Sequence, residues 1–491
     1  MANPLNVLHI ITDSQRFDTI GALGNPIIRT PALDRLVHQG TAFTSAYTPA
    51  PICVAARSCM LNGQYMPNTG CYDNSYPTLP SGNRGFVDCL TNAGYRTHAV
   101  GKCHFTPDMQ ALNGFQTRDR QEETVPHPAE DDYVPWLLAN GYSHITDPHG
   151  CRGETMSMPQ NAQMPASHHP TNWVGDRAVA FIEDADAGQP FYLYTSFVHP
   201  HPPWTPPAPW HKLYRPQFMP LPNVPPNFEE LWTWVNRDER RATFKDQGVD
   251  WQLMRAVRAY YYGCISFVDF QIGRMLETLE RRGQLDNTLV LFMSDHGDML
   301  GDLLTFHLGS MHEGAAHIPL LVRLPGTFEA GHRCDHPASL IDIAPTILNR
   351  TGAGTMPGMD GIDLNELANG KIDRNEVFIQ FQHAERGIYA VVNDRWKYAY
   401  SAGDDKAFLF DRRQDPQENN NVADMPMTNA IQEEMKAVLL RHLNECGETT
   451  AADGNDWRRY PGWQPPTSPI VGQRVYHHQW ANHSIPGYTD D

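Results

Sequence analysis

The sequence predicts an α/β protein with a large, mostly parallel central sheet flanked by helices and a smaller antiparallel sheet towards the C-terminus. Strand-like apolar runs alternate with helical stretches up to about residue 375, which is typical of a mostly parallel sheet. Four short strand-like runs joined by turns then follow. The chain has 491 residues, which exceeds the usual size of a domain with a single hydrophobic core. A large domain and a smaller one are therefore expected.

The elements of the large domain follow from periodicity and from residues that start or stop helices. Strands are predicted at residues 6–12, 98–101, 191–198, 287–294 and 319–324. Helices are predicted at residues 30–40, 88–93, 174–184 and 254–282. Pro31 suits the first turn of its helix, and Gly283 suits a helix stop.

The C-terminal part divides into a sheet with one helix and a tail. The runs EVFIQFQ, GIYAVVND, WKYAYS and AFLFDRR predict the antiparallel strands, and a helix is predicted at about residues 429–444. The expected divisions are therefore residues 1–375, 376–452 and 453–491. The tail is rich in Pro, Gly and aromatic residues, among them Trp457, Trp463, Tyr476 and Trp480. Such a tail is expected to pack on another surface, either a neighbouring subunit in a homo-oligomer or its own chain.

Composition excludes several classes of protein. The formal charge of −18 argues against nucleic acid or an anionic membrane as a partner. The N-terminus lacks a basic segment and a cleavable apolar core, and the apolar run at residues 7–11 is too short to cross a membrane. Nine cysteines without CxxC pairs fit a reducing compartment. The expected location is the cytoplasm.

Acidic and imidazole groups follow two of the predicted strands. Asp13 ends the first strand, and Asp295, His296 and Asp298 follow the strand NTLVLFMS. Ligands of open α/β sheets gather at the carboxyl ends of strands. Alone, an Asp after a strand is more often a turn residue. Two such strand ends predict a metal site with hard oxygens from Asp13 and Asp295 and a nitrogen from His296.

Cys53 lies at the start of a predicted helix that Gly63 ends. Backbone N–H groups and the helix dipole favour an anion at that position. By local chemistry alone, Cys53 is either a thiol of low pKa or a buried structural cysteine.

Two motifs resemble the signatures of the formylglycine-dependent sulfatases. CVAAR at residues 53–57, followed by LNG at residues 61–63, is similar to the motif Cys-x-(Pro/Ala)-x-Arg with a downstream Leu-x-Gly. GYRTHAVGKCH at residues 94–104 is similar to the second signature, Gly-Tyr-x-Thr-x-x-x-Gly-Lys-x-His. The resemblance extends from Asp13 to the closing strands and implies an alkaline-phosphatase-like fold.

The resemblance also implies a reaction. A maturation enzyme would oxidise Cys53 to formylglycine (3-oxoalanine), whose hydrated form would bind the metal and attack sulfur, which divides one hard step into two. Arg57 would hold the nucleophile and the metal ligands, and Lys102 would bridge the nucleophile and a sulfate oxygen. His104 would take the proton that releases sulfate.

Two further residues would contact the substrate. His201, in the segment HPHPP, would protonate the leaving oxygen, and His199 is the alternative general acid. Asn74 would face a substrate oxygen.

The sequence departs from the sulfatase pattern at the metal site. Ser14 stands where many sulfatases have a second Asp, and His296 where many have Asn. Fewer carboxylates and one imidazole favour Mn²⁺ or Zn²⁺ beside Ca²⁺ as the single divalent cation. Phosphonate monoester hydrolases carry similar replacements, but Lys102 and His104 favour sulfate.

A second departure concerns the substrate anion. Leu308 falls where the family usually has a lysine that contacts the substrate. We expect His307 to replace that cation, because its charge can change near neutral pH.

Three functions therefore remain. The first is hydrolysis of a sulfate monoester, of a small molecule or a carbohydrate. The second is hydrolysis of a phosphonate monoester or phosphodiester by the same nucleophile. The third is a catalytically silent protein that binds sulfated ligands, for which the only support is Leu308.

Overall fold

The structure is a computed structural model that describes residues 4–80, 82–83, 85–124, 127–152, 155–186, 188–244 and 249–465. In chain order its strands are β1 (Asn6–Asp13), β2 (Thr41–Phe43), β3 (Ala46–Tyr47), β4 (Arg96–Gly101), β5 (Thr117–Arg120), β6 (Phe191–Pro200), β7 (Thr288–Ser294), β8 (Leu320–Arg323), β9 (His332–Cys334), β10 (Ala338–Ser339), β11 (Glu376–Phe381), β12 (Ile388–Asn393), β13 (Trp396–Ser401), β14 (Lys406–Asp411), β15 (Ala452–Asp453) and β16 (Asp456–Trp457).

The helices of the described residues are given next in chain order. They are α1 (Pro31–Gln39), α2 (Cys53–Asn62), α3 (Met66–Thr69), α4 (Gly85–Asn92), α5 (Tyr133–Ala139), α6 (Pro170–Asp184), α7 (Trp234–Phe244), α8 (Trp251–Arg281), α9 (Glu313–Ala316), α10 (Ile343–Thr351), α11 (Leu364–Ala368) and α12 (Asn429–Glu445). Among the described residues, none of the helices combines the length and the apolar character that a membrane crossing requires.

The large sheet confirms the predicted fold class. Its eight strands have the order β5-β4-β6-β1-β7-β8-β2-β9. Only β8 runs antiparallel to its neighbours, while β4, β6, β1 and β7 are parallel at the centre. Alternate residues of β1 face two separate cores, with Val7 and Ile11 on one side and Leu8 and Ile10 on the other. Helices α2, α4 and α10 contribute to the first core, and α1, α6 and α8 to the second.

The sequence analysis predicted no strand or helix in two stretches where the structure has them. Residues 117–169 contain β5 and α5, and residues 204–249 contain α7. The strand β5 reads TRDR, without apolar alternation, because it is an edge strand that pairs only with β4 and leaves its side chains partly exposed. Helix α7, WVNRDERRATF, is too polar for its apolar positions to predict it.

The predicted antiparallel sheet is present as β11-β12-β13-β14, with α12 against it. Trp457 packs on this sheet: its ring stacks on Tyr400 with centroids 4.3 Å apart, and its indole N–H donates to the Tyr398 hydroxyl at 3.0 Å. Trp463 lies 5.8 Å from Trp234, centroid to centroid. These two tail residues therefore pack on their own chain. Tyr476 and Trp480 lie outside the described residues.

A buried ion cluster joins the small sheet to the large domain. The Lys397 ammonium, on β13, lies 2.5 Å from the Glu313 carboxylate and 2.6 Å from the Glu418 carboxylate, and its side chain is completely buried. Burial would raise the pKa of Glu313, but the Lys397 charge holds that pKa well below its usual range. The cluster is thus ionised, and its cation comes from the small sheet.

We expect Lys397→Met to lower the free energy of unfolding by about 3–5 kcal/mol, because the buried Glu418 carboxylate and the largely buried Glu313 carboxylate would lose their shared cation. Urea unfolding followed by circular dichroism measures the change. Lys436→Met is the matched control, since Lys436 pairs with the mostly exposed Asp456 and such surface pairs contribute about 1 kcal/mol or less. Equal effects of the two substitutions would contradict the prediction.

Candidate active site

Two neighbouring strands bring the acidic residues together. The parallel strands β1 and β7 pair Thr12 with Ser294, so Asp13 and Asp295 emerge side by side at the carboxyl edge of the sheet. Both side chains are fully buried. The Ser14 hydroxyl donates to Asp13 at 2.9 Å, which fixes that carboxylate from the other side.

Helix α2 places Cys53 opposite these strand ends. Cys53 is the first helical residue, and Gly63 ends the helix in a left-handed conformation with φ 64°, as predicted. The Asn74 side-chain oxygen accepts a hydrogen bond from the backbone N–H of Val54 at 3.0 Å. Asn74 therefore satisfies one of the free N–H groups of the helix N-terminus and lies directly beside Cys53.

Cys53 is poorly suited to act as a thiolate. Burial and the Asp13 charge raise the pKa of its thiol well above the usual range. Of the two chemical interpretations open from the sequence, these surroundings favour the buried thiol over the thiol of low pKa.

Four side chains converge around one point. The ligand atoms of Asp13, Cys53, Asp295 and His296 all lie within 4.8 Å of one another. The Cys53 sulfur lies 3.2 Å from Nε2 of His296 and 3.8 Å from Oδ1 of Asp13. Nδ1 of His296 lies 2.8 Å from the carbonyl oxygen of Gly297, so Nδ1–H donates there and Nε2 presents its lone pair to the cluster.

This donor set fits a divalent cation. Carboxylate oxygens and a neutral imidazole nitrogen are ligands for Ca²⁺, Mn²⁺ and Zn²⁺. Burial and the neighbouring Asp13 charge raise the pKa of Asp295, which reflects the repulsion between two buried carboxylates. A bound cation offsets that repulsion.

Arg57 holds the two carboxylates from within helix α2. Its guanidinium lies 3.0 Å from Asp295 and 3.4 Å from Asp13. Its remaining N–H groups donate to the carbonyl of Lys102 at 2.7 Å and to the hydroxyls of Tyr194 and Ser196, both at 3.0 Å. The fully buried Arg57 charge is thus completely partnered, which fixes the carboxylates in place.

Lys102 follows β4 and reaches the same cluster. Its ammonium lies 2.6 Å from Oδ2 of Asp13 and 2.7 Å from Oε2 of Glu123. Burial would lower the pKa of Lys102, but the charges of Asp13 and Glu123 raise it, so the side chain is a cation.

The two proposed proton carriers, His104 and His201, both follow Lys102 in the chain, and charged groups of the site act on each of them. His104 adopts φ 54° and is half-buried, and its buried Nδ1 atom has no hydrogen-bond partner among the described residues. Burial and Lys102 lower its pKa to about 3. Nδ1 of His201 lies 2.6 Å from the Pro202 carbonyl, and burial lowers the pKa of His201 to about 4, although Glu123 opposes that shift.

Three other residues named in the sequence analysis are His199, His307 and Leu308. His199 bonds to the hydroxyls of Thr171 at 3.1 Å and Thr205 at 3.2 Å, so both ring nitrogens are engaged. Nε2 of His307 lies 2.8 Å from the Ser157 hydroxyl, and the backbone N–H of His307 donates to Asp298. Leu308 is buried in the core, where a charged side chain would be costly.

Sequence reasoning missed Glu123. Its carboxylate contacts the Lys102 ammonium, lies 2.5 Å from the Arg152 guanidinium, and lies 3.6 Å from Nε2 of His201. Glu123 follows the edge strand β5, which the sequence pattern did not predict, so no strand end pointed to it. Only the pairing of β5 with β4 carries Glu123 to Lys102.

Comparison with known proteins tests the resemblance. The sulfatase family model matches residues 5–353, and the model of the C-terminal region of N-sulphoglucosamine sulphohydrolase matches residues 301–445. The chain belongs to the sulfatase family. As a sulfatase it is a sulfuric ester hydrolase, and the family predicted from the two motifs is confirmed.

Relatives of this sulfatase align over almost the whole chain. An arylsulfatase of Clostridium perfringens is 28% identical over 92% of this chain and 96% of its own length. A choline-sulfatase of Rhizobium meliloti is 28% identical over 86% of this chain and 83% of its own length. The crystal structure of a phosphonate monoester hydrolase of Agrobacterium radiobacter superposes with a TM-score of 0.80 at 25% identity and covers 91% of this chain and 97% of that one.

Proposed function

We propose that this sulfatase hydrolyses a sulfate monoester to an alcohol and sulfate, with Cys53 as the nucleophile after a maturation enzyme has oxidised it to formylglycine. The convergence of Asp13, Cys53, Asp295 and His296 within 4.8 Å is the observation that carries the proposal. Oxidation replaces the sulfur by oxygen, a hard ligand that matches the two carboxylates. The raised pKa of the unmodified thiol supports the need for this change.

The same four side chains would hold one divalent cation. Such a cation supplies Lewis acidity and lowers the pKa of an oxygen nucleophile bound to it. The imidazole of His296 favours Mn²⁺ or Zn²⁺ beside Ca²⁺.

The other residues of the site bind and orient the substrate. Lys102 is a buried cation next to the nucleophile and would stabilise the negative charge that develops on the sulfate oxygens. Asn74, beside the first residue of α2, would contact a substrate oxygen through its amide. His307 would contribute a further contact with the anion.

Protons would move through two histidines. His104 has an unpartnered Nδ1 and a low pKa, so it is neutral and able to accept a proton when sulfate is released. His201 would donate to the leaving oxygen through Nε2 only as the doubly protonated imidazolium, because Nδ1–H already bonds to a carbonyl. Glu123, 3.6 Å from Nε2, favours that protonated form, although burial opposes it.

We expect His201→Ala to affect substrates according to their leaving group. An alkyl sulfate needs its leaving oxygen protonated, so its kcat should fall by about 10²–10⁴-fold. 4-Nitrophenyl sulfate releases a stabilised anion, and its kcat should fall far less. Steady-state kinetics with both esters measures the difference. His199→Gln is the comparison variant, and the proposal is wrong if it produces the leaving-group dependence and His201→Ala does not.

A second candidate function is hydrolysis of phosphonate monoesters or phosphodiesters by the same nucleophile. The Asp295–His296 pair and the likeness to a phosphonate monoester hydrolase favour it. The two candidates are ranked by kcat/KM for 4-nitrophenyl sulfate and 4-nitrophenyl phenylphosphonate on one preparation. A higher value for the phosphonate would make phosphonate hydrolysis the leading candidate and sulfate hydrolysis the second.

The substrate class and the partners are proposed more broadly. A sulfate ester of a small molecule or of a carbohydrate fits the site, and the maturation enzyme is the one protein partner that the chemistry demands. A homo-oligomer through the C-terminal tail, residues 453–491, stays a prediction.

A further inference from the structure

The buried carboxylate of Glu123 lies between three groups of the site. Its Oε2 contacts the Lys102 ammonium at 2.7 Å. Its Oε1 lies 2.5 Å from Nη1 of Arg152 and 3.6 Å from Nε2 of His201. Glu123 therefore places the guanidinium of Arg152 next to the Lys102 ammonium and next to His201, the general acid of the proposed reaction.

Among the described residues, one N–H donor of Arg152 has no partner. Its side chain is 2% exposed, and its Nη1 and Nη2 groups donate to the carboxylate and the carbonyl of Glu123. Its buried Nε–H has no partner among the described residues. A buried unpartnered N–H group costs about 1–3 kcal/mol, and an oxyanion would satisfy it.

The fixed charges of the site balance before a cation or substrate binds. Asp13, Asp295 and Glu123 provide three carboxylates, and Arg57, Lys102 and Arg152 provide three cations. A divalent cation adds two positive charges, one of which a sulfate ester neutralises. A phosphate monoester carries two charges near pH 8 and brings one more negative charge towards Glu123.

We propose that Arg152, held by Glu123, is a second cation that binds the anionic group of the substrate, and that the Glu123 carboxylate selects singly charged groups over doubly charged ones. This inference rests on the proposed function. In this proposal, Arg152 makes the contact with the substrate anion that a lysine at the position of Leu308 usually makes in the family. Glu123 is here a positioning residue, and Arg152 is a binding residue.

The first experiment compares Arg152→Met and Arg152→Lys with the full-length enzyme, after maturation of Cys53 has been verified. Arg152→Met should raise KM for 4-nitrophenyl sulfate by about 10–100-fold, because one charge-assisted contact is lost, with a smaller change in kcat. Arg152→Lys should recover part of the loss. His307→Ala serves as the comparison for the alternative cation, and Arg281→Met, at a surface pair with Glu183, is the control for loss of an arginine.

The second experiment measures selectivity for charge. In Glu123→Gln, the ratio of kcat/KM for 4-nitrophenyl phosphate to that for 4-nitrophenyl sulfate should rise by about tenfold or more at pH 8, because one nearby negative charge is removed. An equal fall for both esters would overturn the role in selectivity, since a merely structural residue would affect both alike.

The outcomes separate this inference from the proposed function. Turnover of the sulfate by the wild type, with KM unchanged within twofold in Arg152→Met, overturns the Arg152 contact alone. If the matured wild type turns over no sulfate ester, the proposed function fails. Calorimetry with inorganic sulfate then tests whether Arg152 binds the anion. Weaker sulfate binding by Arg152→Met than by the wild type supports this contact, and equal binding overturns it.

Discussion

Replacing Cys53 with alanine should reduce turnover of a sulfate ester by at least about 10⁴-fold, because removal of a covalent nucleophile leaves only binding and electrostatic stabilisation. Cys53 lies at the centre of the site, with its sulfur 3.2 Å from Nε2 of His296. Burial and the Asp13 charge raise the pKa of its thiol, which disfavours the thiolate as the nucleophile. Under the proposed mechanism, activity depends on how much of Cys53 has been oxidised.

Two measurements on each preparation test this. Mass spectrometry of the peptide that contains Cys53 shows whether the side chain has lost two hydrogens and exchanged sulfur for oxygen. Initial rates with 4-nitrophenyl sulfate should rise in proportion to the oxidised fraction. Cys59→Ala is the matched control, since Cys59 lies on the same helix but in the hydrophobic core, and it should keep both conversion and activity. Full activity in Cys53→Ala or in a wholly unconverted preparation would refute the mechanism.

Asp13→Asn should remove both the bound cation and at least about 10³-fold of the activity, since it deletes a carboxylate ligand at the nucleophile. The substitution also removes the anionic partner of Lys102, 2.6 Å away. Burial would raise the pKa of Asp13, but Lys102, His201 and Arg57 hold it well below the usual range, so the carboxylate is ionised at neutral pH. A neutral amide cannot replace that charge.

Metal content is measured by inductively coupled plasma mass spectrometry and activity by initial rates. A chelator should abolish the activity of the wild type, and re-addition of Ca²⁺, Mn²⁺ or Zn²⁺ singly should identify the ion that restores it. Asp18→Asn is the control. Asp18 lies in the same loop after β1, but it is half-exposed and pairs with Arg16, so this variant should keep the metal and the activity. A stoichiometric cation in Asp13→Asn would contradict the assignment of this ligand.

Motifs with a fixed spacing were predictable from the sequence. Helix α2 begins at Cys53 and ends at Gly63 as expected, because helix formers and a left-handed glycine are local signals. The strand ends at Asp13 and Asp295 follow long apolar runs, which need only periodicity and burial to be recognised. The two signatures fixed the family because each keeps its residues in one short segment.

Contacts made by polar or irregular segments were not predictable. The sequence left open whether Trp457 and Trp463 contact another subunit or their own chain. In the folded chain, Trp457 stacks on Tyr400 of the small sheet, and Trp463 contacts Trp234 of α7. Neither contact leaves a pattern in the sequence, since both join segments more than 50 residues apart.

By itself, the sequence determined the α/β class, the family, and the residue types that meet at the candidate metal site and at the proposed nucleophile, because local propensity and short motifs encode these. Only the tertiary structure decided that Glu123 and Arg152 join Lys102 and His201. The physical reason is that β5 is a polar edge strand, held by backbone hydrogen bonds to β4 and not by an apolar pattern. Pairing at a sheet edge, and the charge balance that follows from it, exist only once the chain has folded.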